Sequence, residues 1–179
     1  NSGAMGSVYG NYQALISRAN FIIGGYDKCD MSNEMLFTPT DKAEVANVKG
    51  EAFFIRAYSI FMLSQYFCAD YNATTATAEN SGVSYRLDYA PSSSSSTYPG
   101  RKTLEETFTQ VKNDLDSAAL YITTEGMPSN IYVSKDAITA LRARVALAMD
   151  DYANAAAYAA SLIETGTYTL AADIDELAD

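Results

Sequence analysis

The sequence has no histidine and no tryptophan, only two cysteines and four prolines, and 12 basic residues against 22 acidic ones. The shortages of histidine, cysteine and basic residues each remove a class of function. Without histidine there is no Ser-His-Asp triad, no Cys-His pair and no His-ligated zinc within the chain. Cys29 and Cys68 lack CxxC spacing and are too few for a disulfide framework or a structural zinc site. One long-range disulfide and two buried free thiols both remain open. A formal net charge of −10 argues against nucleic acid as a partner, because phosphate neutralisation needs clustered Lys and Arg, and against docking on an anionic leaflet. No run approaches the roughly 20 apolar residues that span a bilayer. Asn1 to Ser7 have neither the basic n-region nor the apolar h-region of a signal peptide. No cofactor and no metal are expected.

What is present is a globular composition, 48% apolar and 19% charged over 179 residues, the size of one domain. Its periodicity is helical almost throughout. Tyr12, Leu15, Ile16, Ala19, Ile22 and Ile23 form one stripe of a helix over about 9–26, which Gly24-Gly25 is expected to end or loosen. Asp41 with Glu44 reads as a capping box opening a second helix to about Phe67, apolar on nearly every face in its second half, so that other helices must surround it. Thr103 with Glu106 caps a third, whose stripe is Leu104, Phe108, Val111, Leu115, Ala118 and Ile122. A turn region at Gly126, Pro128, Ser129 and Asn130 follows. Ser134 caps a fourth helix to about Met149, Asp150-Asp151 make a tight turn, and a fifth helix from Tyr152 to Glu164 stops at Gly166. Ser134 to Thr167 spans about 34 residues, the tetratricopeptide period, with alanines where two helices must approach closely. The expected fold is therefore all-α, antiparallel tetratricopeptide-like helix pairs in a single domain over 1–179. One long inserted loop, 68–102, has lost the helical stripe; the helices before and after it could form a further pair.

Several segments in order resemble the SusD/RagB family of Bacteroidetes outer-membrane nutrient-binding lipoproteins. They are the Tyr12–Ile23 stretch; Lys49-Gly50-Glu51-Ala52 running into Arg56-Ala57-Tyr58; Arg101 to Phe108 with Asp114-Leu115; and Ala137 to Ala148, Asp151 to Ala155 and Ile163 to Leu170. The resemblance implies a tetratricopeptide-like scaffold without catalysis. It implies tethering at the outer membrane, facing outward, through a lipidated N-terminal cysteine, and capture of glycan for a SusC-like TonB-dependent porin. The chain departs from the pattern in having no lipidation cysteine at its start and Cys68-Ala69-Asp70-Tyr71 in place of a glycine–x–proline step. It is expected to be the N-terminal portion of a longer protein.

Sugars offer C–H faces to aromatic rings and hydroxyls to planar polar groups. The family's glycan site draws on loops projecting from the scaffold, so Tyr71, Asn72, Tyr85, Arg86, Tyr89 and Tyr98 in the 68–102 loop are the candidate ligand-binding residues. The same tyrosines could instead pin the loop to the helices through their hydroxyls. Arg56, within an apolar helix, needs a carboxylate such as Asp114 or Glu51 if it is buried. The acidic end, Asp173, Asp175, Glu176 and Asp179, lacks an EF-hand turn and reads as solvated. A competing reading is a tetratricopeptide adaptor that grips a protein near Tyr152 and Tyr158. A glycoside hydrolase would need two carboxylates facing across a substrate, which Glu105-Glu106 on adjacent helix positions do not provide. The glycan reading expects triple alanine replacement of Tyr85, Tyr89 and Tyr98 to abolish glycan retention with helical circular dichroism unchanged.

Overall fold

The computed structural model describes residues 2–92, 94–125 and 131–169. The expected turn at Gly126–Asn130 and the acidic end from Asp173 lie outside them. Among the described residues the chain is all-α: α1 (Ser2–Lys28), α2 (Pro39–Phe67), α3 (Leu104–Tyr121), α4 (Lys135–Ala148) and α5 (Tyr152–Glu164), with one 3-10 turn at Ser95–Thr97. No helix among them is long and apolar enough to cross a membrane.

Side-chain contacts fix the topology. Tyr9 meets Phe67 while Asp27 meets Lys49, so α1 and α2 run antiparallel. Phe61 meets Phe108 and Arg56 meets Asp114, so α2 and α3 do too. Arg142 reaches back to Asp116, and α5 folds onto α4 across a turn of a few residues. In this succession of hairpins α2 packs against α1, α3 and α4. That satisfies the requirement set by its all-round apolar sequence. The core gathers Ile16, Ala57, Ile60, Phe61, Leu63, Phe108, Leu115 and Ile138, each at most 2% exposed.

Helix ends follow local chemistry, with three departures from the sequence reading, the first being that α1 begins at Ser2 rather than near Tyr9. The second helix opens three residues early. Thr38 is the N-cap, its hydroxyl accepting from the Asp41 N–H at 3.2 Å and the Asp41 carboxylate accepting from the Thr38 N–H at 2.8 Å, and Pro39 takes the first helical position, where a missing N–H costs nothing. The first helix runs through Gly24-Gly25 to Lys28. Its last turn is anchored by Asp27, which accepts from the Lys49 ammonium at 2.6 Å. That ammonium also donates to Tyr121 at 3.0 Å and lies 4.4 Å from the Tyr26 ring centroid and 4.6 Å from that of Tyr121. Burial alone would pull its pKa down, but Asp27 and Tyr121 outweigh that and raise it. Cys29 and Cys68 are free thiols, but not the buried ones expected: Cys29 is exposed and Cys68 half-buried. Thr103 and Ser134 cap α3 and α4 as the sequence indicates. Asp150 adopts the left-handed φ of 58° that the tight α4–α5 turn requires. Although α5 is alanine-rich it buries no residue, and Tyr152 and Ile163 on it are 63% and 74% exposed.

The backbone hydrogen bond from Thr103 to Glu106 holds the Glu106 carboxyl below its ordinary value of 4.5. A carboxyl lowered in the folded state stabilises the fold above its ordinary pKa, and loses that contribution as the pH falls through the folded value. Gln at this position still caps the helix but does not titrate. Wild type should melt above Glu106→Gln at neutral pH, with the difference shrinking below about pH 4.5 and closing in stronger acid, measured by thermal circular dichroism across that range.

Candidate glycan-binding groove

The described residues of the inserted loop form a layer over α1, α2 and α3, tied down at its base. Gly82 N–H donates to the Lys102 carbonyl at 2.8 Å and Lys102 N–H to the Val83 carbonyl at 3.1 Å. Leu104 N–H donates to Ser81 Oγ and Glu105 N–H to the Ala76 carbonyl, both at 2.9 Å. Gly82 is required by the close approach of α3, because a Cβ there would collide with Thr107 Oγ1 and the Thr103 carbonyl. Arg101 straddles the same junction, donating to the carbonyls of Gly82 at 2.7 Å and Phe67 at 3.2 Å.

From this base, residues 83–92 and 94–99 run across α1. Val83 and Tyr85 point inward, 2% and 7% exposed. The next turn is held by α1 side chains on its main-chain carbonyls. Gln13 Nε2 donates to Ser84 O at 2.7 Å, and Asn20 Nδ2 donates to Arg86 O at 2.9 Å and Asp88 O at 3.2 Å. Asn20 is 2% exposed. Its Oδ1 accepts from Arg56 Nη1 at 2.8 Å, and Arg56 pairs in bidentate fashion with Asp114 at 2.7 and 2.8 Å. Gln110 donates to Asp114 at 2.9 Å, completing the network. Of the two carboxylates considered for Arg56, Asp114 is the partner; Glu51 accepts from the Val133 N–H instead.

Between α1 and the loop lies a groove of about 320 Å³. Tyr9, Gln13, Ser17 and Asn20 line it from α1, and Ser84, Arg86, Pro91, Tyr98 and Pro99 from the loop. Tyr98 is 62% exposed. Three Arg86 nitrogens are engaged, two with Asp88 and one with Thr97 O, which leaves two of its five N–H donors for a ligand.

The structure divides the six candidate residues. Arg86 and Tyr98 come together in the groove. Tyr89 stands just beyond it, its ring 5.0 Å from that of Phe21. Tyr71 and Asn72 belong to another surface: Tyr71 packs edge-on against Phe108, and Asn72 Oδ1 accepts from the Thr74 and Thr75 N–H groups to close its own turn. Tyr85 is corrected outright. It is a core residue whose hydroxyl donates to the Glu106 carbonyl, and burial pushes its pKa up to about 12. It offers no ring face to a ligand, and its removal would disturb the fold, so the triple alanine test confounds binding with stability. The α1 contribution was not seen in the sequence. Its signal is the polar spacing of Gln13, Ser17 and Asn20 beside the apolar stripe.

Comparison with known proteins decides the lineage. Residues 8–147 match the SusD-like family described as "Starch-binding associating with outer membrane". The chain belongs to that family. Among solved structures, this SusD-like chain is similar to a SusD superfamily protein from Bacteroides thetaiotaomicron, at 27% identity and a TM-score of 0.74, over 91% of this chain and 33% of that one. A SusD superfamily protein from Bacteroides vulgatus superposes with a TM-score of 0.70 at 23% identity, over 93% and 35%. A laminarin-binding SusD-like protein shares the fold at 17% identity, with a TM-score of 0.65 over 87% and 29%. The chain thus spans about a third of the length of these relatives. No curated protein matches the sequence. The tetratricopeptide-like all-α expectation agrees with these neighbours.

Asn20→Ala should strip the donors from two loop carbonyls and leave Arg56 short of an acceptor. Urea unfolding should show a loss of about 2–3 kcal/mol, the scale of hydrogen bonds to a charged group. Amide exchange should rise in residues 84–99 beyond the general increase.

Proposed function

We propose that the chain is a non-catalytic glycan-binding part of an outer-membrane protein, anchored outward by an N-terminal lipid, that passes glycan to a SusC-like TonB-dependent porin. The observation that carries the binding role is the groove itself. It sets an exposed aromatic ring, Tyr98, beside the spare donors of Arg86 and the Gln13 and Ser17 side chains, in a chain of the SusD-like family. An aromatic face takes the C–H surface of a sugar, and fixed planar donors take its hydroxyls. The wall is set before ligand arrives, because the loop backbone is already hydrogen-bonded to α1; little ordering entropy is then lost on binding. The porin and the lipid anchor follow the family's character rather than any side chain described above.

The adaptor reading uses a different face. A cleft of about 200 Å³ between α3, α4 and α5 is lined by Lys112, Arg142, Met149, Asn154 and Tyr158. Affinity electrophoresis through gels containing starch, laminarin and other plant, host and fungal polysaccharides separates the two. The groove reading expects retardation by at least one polysaccharide, weakened about tenfold by Tyr98→Ala, the loss of roughly one good aromatic contact, and untouched by Tyr158→Ala. Equal retardation of wild type and Tyr98→Ala would remove the groove from the binding role.

A further inference from the structure

The surface next to the groove is occupied by a second cavity that Tyr98 does not reach. It measures about 550 Å³ and lies between the C-terminal half of α1 and residues 87–89, lined by Phe21, Gly24, Asp27, Leu87, Asp88 and Tyr89. Phe21 is 59% exposed and Tyr89 49%, and their rings meet edge to face at 71°. In that arrangement an edge covers at most one face of one ring, so open ring faces remain. The floor is bare helix backbone: a Cβ built at Gly24 or Gly25 would meet nothing within 4 Å. Asp88 is kept ionised to lower pH by its bonds from Arg86, and so stands as a hydroxyl acceptor.

Two features join this cavity to the groove. Asn20 lines both. The Arg86–Asp88 ion pair, at 3.0 Å, is the divide between them, with Arg86 lining the groove and Asp88 the second cavity. Each side therefore holds exposed aromatic surface beside planar charged groups: Tyr98 with Arg86 in the groove, Phe21 and Tyr89 with Asp27 and Asp88 beyond the divide. A single sugar needs one such set, whereas a polymer of like units needs it repeated along its length.

We infer that the groove and the Phe21–Tyr89 cavity are two subsites of one platform, whose ligand is an oligosaccharide long enough to cross the Arg86–Asp88 divide. This rests on the glycan reading above. A mono- or disaccharide fills one subsite, and longer chains gain the second without paying again for association.

The test is isothermal titration of the chain with malto-, laminari-, xylo- and manno-oligosaccharides, each from disaccharide to heptasaccharide. In the series that binds, affinity should climb with length and then level off. Tyr89→Ala and Phe21→Ala, both at exposed positions, should lower the affinity of the longest ligand about tenfold and leave the shortest unchanged, whereas Tyr98→Ala should weaken every length. Affinity independent of length, or Tyr89→Ala and Phe21→Ala binding every length like wild type while Tyr98→Ala weakens it, overturns the second subsite and leaves the glycan reading standing. No binding to any series, together with no retardation by any polysaccharide in the gels above, overturns both.

Discussion

Arg56 and Asp114 are two opposite charges with side chains 6% and 2% exposed, and the rest of the molecule is arranged around that fact. Removing such groups from water costs several kcal/mol per ion, recovered only when geometry and hydrogen bonding are complete. Completion here draws on three helices: α2 supplies Arg56, α3 supplies Asp114 and Gln110, and α1 supplies Asn20. A pair of well-packed apolar residues could fill the same volume. It would not orient Asn20. Because the Asn20 carbonyl oxygen is committed to Arg56, its amide nitrogen must face the loop, where it holds Arg86 O and Asp88 O. The charge pair in the core thereby fixes the wall of a groove at the surface.

The helices were legible because their signals are local. The Thr103–Glu106 box, the Ser134 cap, the stripe of α3 and the apolar circumference of α2 all depend on neighbours within a few turns. Where the reading went astray, the cause was non-local or a competition between similar signals. Asp41 serves as the third residue of its box rather than the cap, because Thr38 before Pro39 is the better-formed start. Gly24-Gly25 does not end α1 because the following turn is held by the Asp27–Lys49 bridge, whose partners are far apart in sequence.

The site was legible by region and less so by residue. A loop with tyrosines between two helices was identified, but which tyrosines face outward depends on the base clasp of Gly82, Val83 and Lys102. That clasp sets Tyr85 inward, and only the strand-like alternation from Val83 to Tyr85 hints at it in the sequence. The opposite wall, on α1, carries no motif. It becomes a wall only once the loop lies over it.

Beside the buried side chains of Val83 and Tyr85, much of the grip on the loop is a grip on main chain. Gln13 holds the carbonyl of residue 84, Asn20 those of 86 and 88, and Arg101 that of 82, while the Ala76 carbonyl accepts from the α3 N-terminus. Carbonyl oxygens are common to all residue types. Sequence drift at the outward positions, Leu87, Tyr89 and Tyr98 among them, leaves every one of these bonds in place. Diversification and stability are thereby uncoupled: the exposed surface can change its side chains without renegotiating how the chain folds.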